Sequence, residues 1–218
     1  MRGTAGLSNQ SSDPSGINMS VYGLTGGIGV GKSTVANIFQ ESGIPVVLAD
    51  DVGRQVAAKG SDGLAEIVRT FGADILDANG ELDRRKLGTL IFNNPDRRRH
   101  LEGILHPRVR DLSQELFRNL EQVGNQIVIY ESALLYETQR HTEMRGVILV
   151  TASEEQRIAR VRSRDGSDEE DVRKRIRAQM DEEEKLGLAD HIVDNSGDLQ
   201  ALHSNVSSLI SELRQQQE

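Results

Sequence analysis

The 218-residue sequence contains no cysteine and no tryptophan, and aromatic residues make up only 3% of it. The lack of cysteine excludes disulfide bonds and thiolate metal sites, which suits a protein of the reducing cytoplasm. So few aromatic side chains leave little material for the stacking platforms that bind single-stranded nucleic acids. No apolar run approaches the roughly 20 residues that a membrane-spanning helix needs. We therefore expect a cytoplasmic protein that binds neither nucleic acids nor membranes.

Basic residues are outnumbered by acidic ones overall but are clustered in one segment. Lys and Arg number 26 against 34 Asp and Glu, and the resulting net charge of −8 disfavours non-specific binding to nucleic acids. Between residues 84 and 110, however, eight basic residues outnumber two acidic ones; they are Arg84, Arg85, Lys86, Arg97, Arg98, Arg99, Arg108 and Arg110. Such a basic patch suits a small polyanionic substrate, although a solvated helix face would give the same pattern.

The first eighteen residues differ in composition from the rest of the chain. They are rich in Ser, Gly and Asn and lack the apolar core of a signal peptide. We expect residues 1–18 to form a disordered extension. Met19 directly precedes the first predicted strand and could be the natural start. Residues 1–18 would then be an added leader; otherwise they are native sequence.

Residues 26–33, with the sequence Gly-Gly-Ile-Gly-Val-Gly-Lys-Ser, fit the phosphate-loop pattern G-x-x-x-x-G-K-[ST]. The glycines let successive backbone amides converge on a polyphosphate, and the following helix adds its positive end. Lys32 would then bridge the outer phosphates, and the Ser33 hydroxyl would be a ligand of Mg²⁺. A dinucleotide-binding G-x-G-x-x-G is excluded, because Lys32 or Thr34 occupies the position of its last glycine.

Five short apolar runs alternate with helical patterns, at residues 20–25, 46–49, 126–130, 146–150 and 192–193. This alternation predicts an α/β fold with a five-stranded parallel sheet and helices on both faces, built from residues 19–50, 122–156 and 186–218. Residues 51–121 are helical in pattern and far longer than an ordinary crossover, which predicts a helical insertion that binds a second substrate. Residues 157–185 carry several arginines around a glycine turn, which predicts a mobile helical lid or a charged surface helix pair.

Acidic residues follow the second and third predicted strands. Asp50 follows the second strand and Glu131 the third, where parallel strands present groups to a ligand crevice. Phosphoryl transfer needs a carboxylate that accepts the proton of the attacking hydroxyl. Asp50 is the first candidate for this base, with Asp51 and Glu131 behind it. A helix N-cap is the alternative role for Asp50.

Five groups of residues, in this order along the chain, resemble the dephospho-coenzyme A kinases. They are residues 24–34 with the phosphate loop; Ala49-Asp50 with Arg54; residues 82–87 with Ile91-Phe92 and Pro95; Leu105-His106-Pro107; and Leu134-Leu135-Tyr136-Glu137. The resemblance implies transfer of the ATP γ-phosphate to the ribose 3′-hydroxyl of dephospho-coenzyme A. It also implies a P-loop kinase core, a helical substrate domain and a lid, with Mg²⁺ accompanying ATP.

Particular residues match the family's functional positions. Asp50 matches the catalytic base, and Arg160 and Arg164 match catalytic arginines of the lid. Asn195 matches a residue near the adenine of ATP, although a turn would also favour asparagine there. The ATP loop corresponds to Gly29, Val30, Gly31, Lys32, Ser33 and Thr34, and the acceptor side to Arg84, Arg85, His106 and Glu131.

Some of these matches leave alternatives open. His106-Pro107 could instead mark a helix start. The family usually has Asp where this chain has Leu48, and it commonly has Asp where this chain has the longer Glu131. The role of Glu131, toward Mg²⁺ or toward the acceptor hydroxyl, is therefore open.

Three other functions compete with this interpretation. A different nucleoside or nucleotide kinase would share the core, although the long basic insertion favours a larger acceptor. A GTPase switch is disfavoured, because Asp50-Asp51-Val52-Gly53 fits D-x-x-G but the sequence has no N-K-x-D. A nucleic-acid-dependent ATPase conflicts with the net charge and the few aromatics. We expect a monomer or a weak homo-oligomer.

Overall fold

The computed structural model describes residues 18–92 and 94–217, so the predicted disordered extension lies, apart from Asn18, outside the described residues. Five parallel strands form one sheet in the order β2-β3-β1-β4-β5. Their bounds are Ser20–Thr25 (β1), Val46–Leu48 (β2), Ile127–Glu131 (β3), Gly146–Thr151 (β4) and His191–Asp194 (β5). The predicted fold class is confirmed.

The three central strands, β3, β1 and β4, are buried on both faces, as expected for a parallel sheet between helices, whereas the edge strand β5 exposes Ile192. Alternate residues point to opposite sides, so Leu24 and Ile129 join one core cluster while Val21 and Val128 join the other. The second strand ends at Leu48, one residue earlier than predicted, because Ala49 already begins a helix.

Helices cover the two faces of the sheet. The helices α1 (Lys32–Glu41) and α9 (Leu199–Gln215) pack against one face through residues such as Phe39 and Leu213. The helices α2 (Ala49–Val56) and α5 (Pro95–Gln122) pack against the other through Val52 and Phe117. The ends of β1, β2 and β3 therefore meet the starts of α1 and α2 at one edge of the sheet.

The helical insertion has a core of its own. Helices α3 (Asp62–Phe71) and α4 (Arg84–Phe92) pack with α5 around Ile67, Leu87 and Ile104. The helix start considered for His106-Pro107 is wrong, since α5 begins at Pro95 and continues through Pro107. Proline removes the hydrogen bond to the carbonyl four residues earlier. That carbonyl belongs to Gly103, which is exposed to water.

The segment predicted as a lid forms three helices, α6 (Glu154–Asp165), α7 (Glu169–Arg177) and α8 (Glu182–Leu188). Ser153 caps α6 by accepting a hydrogen bond from the Gln156 amide. Ile158, Val161 and Val172 form a small cluster between α6 and α7, and Ile28 of the phosphate loop packs against it. In the part of the chain that the structure describes, no helix has the length and apolar character to span a bilayer.

Candidate active site

The phosphate loop connects β1 to α1 in a conformation that needs its glycines. Gly29 and Gly31 have φ angles of 78° and 92°, in the left-handed region that side chains disfavour. Gly31 occupies the N-cap position, and α1 begins at Lys32, so the helix presents its unpaired amides to the loop. Such an arrangement favours binding of phosphate groups.

Lys32 turns back over this loop. Its Nζ donates a hydrogen bond to the Gly26 carbonyl at 3.0 Å. Burial lowers the pKa of Lys32, and the negative charges of Glu131 and Asp50 oppose that shift. The predicted loop lysine and the two predicted carboxylates therefore lie within electrostatic reach of one another.

Glu131 lies on the strand between the one that leads to the phosphate loop and the one that leads to Asp50. It is the last residue of β3, and in the sheet it pairs with Leu24 of β1 on one side and with Leu48 of β2 on the other. The phosphate loop follows Leu24 after one more residue, and α2 follows Leu48 directly. Burial raises the pKa of Glu131, Lys32 lowers it, and Asp50 and Asp51 raise it further.

Asp50 is exposed in the first turn of α2. The N-cap of this helix is Leu48, and no side chain caps it, so the N-cap role considered for Asp50 is wrong. The Asp50 carboxylate is thereby left available for a substrate. Asp51 pairs instead with Arg54 one turn along the helix.

Two side chains of the α6–α8 segment hold the outside of the phosphate loop. Arg157 donates from Nε to the Ile28 carbonyl at 3.0 Å, and Gln179 accepts a hydrogen bond from the Ile28 amide at 2.8 Å. A Cβ atom at Gly27 would lie 2.3 Å from Arg157 Nη2, so a side chain at this position would displace the Arg157 guanidinium. Neither contact could be predicted from the sequence, because each joins residues more than one hundred positions apart.

Arg160 and Asn195 hold the other end of the loop. Arg160 donates to the Val30 carbonyl at 3.2 Å and to the Asn195 carbonyl at 2.8 Å. Asn195 is buried, and its amide donates to the Val30 carbonyl at 2.7 Å. The structure thus brings these two predicted residues to the phosphate loop. Arg164 instead pairs with its neighbour Asp165, and its side chain is 65% exposed.

A cavity of about 210 Å³ opens beside Asp50. His106 of α5 and Leu134 of the segment after β3 contribute to its wall, so the predicted residues His106 and Asp50 line the same cavity. Arg84 and Arg85 lie exposed in the first turn of α4 and, among the described residues, are not part of this wall. The full lining is Ala49, Asp50, Leu105, His106, Val109, Tyr130, Ser132, Ala133, Leu134, Thr138 and Arg140.

A buried lysine that our sequence analysis missed lies close to the loop lysine. Lys185 of α8 has only 2% of its surface exposed, and its charge helps to lower the pKa of Lys32. Its Nζ is 3.6 Å from a Glu137 oxygen and has no hydrogen-bond partner among residues 18–92 and 94–217. A second ammonium group therefore lies within electrostatic reach of Lys32.

The residues around the loop fit a Mg²⁺ ion that is bound together with a nucleotide. Within the described ranges, no group of three or more His, Cys, Asp or Glu residues could hold a metal ion alone. Mg²⁺ keeps several waters and uses substrate phosphates, so one hydroxyl and one carboxylate from the protein suffice. Ser33 is exposed at the start of α1, and Glu131 ends the neighbouring β3.

Comparisons with known proteins agree over most of the chain. A family model described as Dephospho-CoA kinase matches residues 20–201. A dephospho-CoA kinase of Syntrophotalea carbinolica is 41% identical over 89% of this chain and 92% of its own length. One from Arabidopsis thaliana is 39% identical over 90% of this chain and 84% of its own length.

Solved structures show the same similarity. A crystal structure of a Thermus thermophilus protein covers 90% of this chain and 98% of its own, with a TM-score of 0.77 and 36% identity. A dephospho-CoA kinase from Campylobacter jejuni covers 91% of this chain and 98% of its own, with a TM-score of 0.70 and 26% identity.

Proposed function

The chain belongs to the dephospho-CoA kinase family, and from this we infer that it transfers the ATP γ-phosphate to the ribose 3′-hydroxyl of dephospho-coenzyme A. The products are coenzyme A and ADP, which makes this the last step of coenzyme A biosynthesis. The observation that carries our assignment of residues is the position of Glu131 in the sheet. It lies between the strand that leads to the phosphate loop and the strand that leads to Asp50.

Different residues of the chain bind the phosphates and activate the acceptor hydroxyl. The amides of residues 29–34 and the Lys32 ammonium hold the phosphates of ATP, and Lys32 neutralises charge on the group in transfer. Asp50 orients the acceptor hydroxyl and takes its proton. A bond forms between the ribose 3′-oxygen and the γ-phosphorus, while the bond from that phosphorus to the β-phosphate oxygen breaks and ADP leaves.

Magnesium would be held by Ser33, with Glu131 near it, and by phosphate oxygens of ATP. When bound, it would neutralise phosphate charge. Glu131 also helps to keep Lys32 protonated, because its negative charge opposes the lowering of the Lys32 pKa by burial.

We assign the helical insertion at residues 51–121 to the acceptor and residues 157–185 to a lid over ATP. His106 of the insertion supports the first assignment, because it shares a cavity with Asp50. The contacts of Arg157, Arg160 and Gln179 with loop atoms support the second. Arg164 would reach the phosphates after a movement of α6, and closure of the lid would exclude water that hydrolyses ATP.

A coupled assay of ADP release tests this function. Dephospho-coenzyme A, adenosine, AMP and the other nucleoside monophosphates are compared as acceptors, each with ATP and Mg²⁺. We expect the highest kcat/KM for dephospho-coenzyme A, and acceptor-dependent ADP release at least about a hundredfold slower in the Asp50→Asn variant purified in parallel. Faster turnover of AMP or another panel member would make the protein a different nucleotide kinase.

A further inference from the structure

Arg140 is a buried arginine beside Asp50 to which neither the sequence motifs nor the proposed mechanism gives a role. Only 8% of its surface is exposed, and it lines the same cavity as Asp50 and His106. Its Nη2 has no hydrogen-bond partner among residues 18–92 and 94–217, and its Nε is ion-paired with Glu143 without the geometry of a hydrogen bond. A buried guanidinium with unused donors is costly unless a partner completes its hydrogen bonds.

The backbone next to Arg140 is strained. The preceding residue, Gln139, has a φ angle of 56° and is the one non-glycine residue of the described chain with positive φ. This region of backbone conformation is unfavourable for residues other than glycine. A short 3₁₀ turn, Arg140–Glu143, follows directly. In this turn Arg140 is buried against Tyr130 of β3.

Arg140 shares its carboxylate partner with a second arginine. Its Nε lies 3.1 Å from a Glu143 oxygen, and the other oxygen of Glu143 lies 3.3 Å from Nε of Arg110. One carboxylate is thus shared by two guanidinium groups. The guanidinium carbon of Arg140 also lies 4.9 Å from the ring centre of Tyr130, which stabilises the cation but gives its N–H groups no acceptor.

We propose that Arg140 binds an anionic phosphate group of the acceptor and thereby holds the acceptor hydroxyl at Asp50. This inference rests on the proposed function. A guanidinium pairs with two phosphate oxygens at once, which fixes the orientation of a phosphate better than a point charge does. In dephospho-coenzyme A the anionic group is the 5′-pyrophosphate, on the same ribose as the 3′-hydroxyl.

The cavity agrees with an acceptor of this kind. Its remaining wall is largely apolar, with Leu105, Val109 and Leu134 beside Tyr130. Its volume of about 210 Å³ is at or below the lower end for small-molecule sites, roughly 300–1,000 Å³, so it holds only part of a large acceptor. The charged end of that part would meet Arg140 and its reacting end would meet Asp50.

Steady-state kinetics of the full chain test the role of Arg140. Arg140→Gln removes the charge, and we expect the KM for dephospho-coenzyme A to rise about tenfold or more, since a lost hydrogen bond to a charged group has about this effect. The KM for ATP and kcat should stay within twofold. Arg140→Lys keeps the charge without the fork and should show an intermediate rise.

Arg110→Gln is the matched control. It removes the other guanidinium from Glu143, but the Arg110 side chain is 57% exposed and is not part of the cavity wall. We expect its KM for dephospho-coenzyme A within twofold of the parent enzyme. Thermal denaturation of every variant reports folding, and if Arg140→Gln does not fold, the intermediate KM of Arg140→Lys decides.

Two results would overturn the proposal. One is a KM for dephospho-coenzyme A that stays within twofold in the folded variants. The other is an equal loss for ATP, which would show that Arg140 only supports the fold. If the parent enzyme does not phosphorylate dephospho-coenzyme A, the proposed function fails instead. In that case calorimetry measures the affinity of the parent and of Arg140→Gln for dephospho-coenzyme A. Equal affinities would refute the proposed role of Arg140.

Discussion

Gly31 stands where the phosphate loop passes against Asn195, and replacing it by alanine tests how that loop is held. The added Cβ would lie 2.3 Å from the Asn195 side-chain nitrogen, closer than any real contact of this kind. Asn195 would have to move, and its 2.7 Å hydrogen bond to the Val30 carbonyl would break. The Gly31 φ of 92° adds backbone strain whatever the surrounding space.

These effects can be given approximate sizes. A left-handed conformation costs an L residue about 1–2 kcal/mol. A broken hydrogen bond costs about 1 kcal/mol net, and more where a buried group is left without a partner. Gly31→Ala should therefore lower the free energy of unfolding by roughly 2–4 kcal/mol. It should also raise the KM for ATP about tenfold, because the displaced residues carry the loop that holds the phosphates.

Gly43→Ala supplies the control for strain alone. Gly43 has a similar φ of 79° at the end of α1, but a Cβ there would meet nothing within 4 Å. It should lower the free energy of unfolding by about 1–2 kcal/mol, with an unchanged KM for ATP. Urea denaturation and ATP titrations of both variants measure these values. If the two variants match in stability and in KM for ATP, the packing of Asn195 against the loop does not matter and our reasoning is wrong.

Two further predictions concern the carboxylates. Asp50→Asn should reduce kcat about 10²- to 10⁴-fold, the usual contribution of a general base, and leave the KM for ATP within twofold; a loss below tenfold would mean that another group takes the proton. Burial raises the pKa of Glu131 above its usual 4.5, so the folded protein retains a proton that the unfolded chain releases as the pH rises past that value. The unfolding free energy of the parent protein should therefore fall relative to that of Glu131→Gln as the pH rises from about 4.5 to the folded-state pKa. If the difference between the two proteins does not vary with pH, the Glu131 carboxylate is not buried as described.

The parts of the site that could be predicted from sequence are those that depend on local order along the chain. The glycine spacing before Lys32 defines the loop by itself. Asp50 and Glu131 follow apolar runs, and in a parallel sheet such residues gather at one edge. The observed pairing of Glu131 with both neighbouring strands is the consequence of that rule.

The parts that could not be predicted depend on contacts between distant segments. Gln179 and Arg157 meet Ile28 across more than one hundred residues, and no local pattern indicates which arginine of α6 will do so. Lys185 and Arg140 read as ordinary surface charges, since charged residues are almost never fully buried. Their burial follows from packing of α8 and of the turn after β3.

At position 107 the local preference of proline indicated a helix start, but the helix continues through this residue. Prolines favour the first turn of a helix, and the rule correctly describes Pro95, where α5 begins. At Pro107 the long helix continues, because tertiary packing of Ile104 and Phe117 on either side outweighs the local preference. Local propensity is a weak guide wherever both flanks of a residue are buried.

The position of the transferred phosphate tests the central claim most directly. The parent enzyme is incubated with ATP, Mg²⁺ and dephospho-coenzyme A, and the product is analysed by ³¹P NMR and mass spectrometry. We predict one new phosphate monoester on the ribose 3′-oxygen, formed in equal amount to ADP. A monoester at the 2′-oxygen, or ADP formed without a phosphorylated acceptor, would contradict the arrangement of Lys32, Asp50 and the acceptor cavity described above.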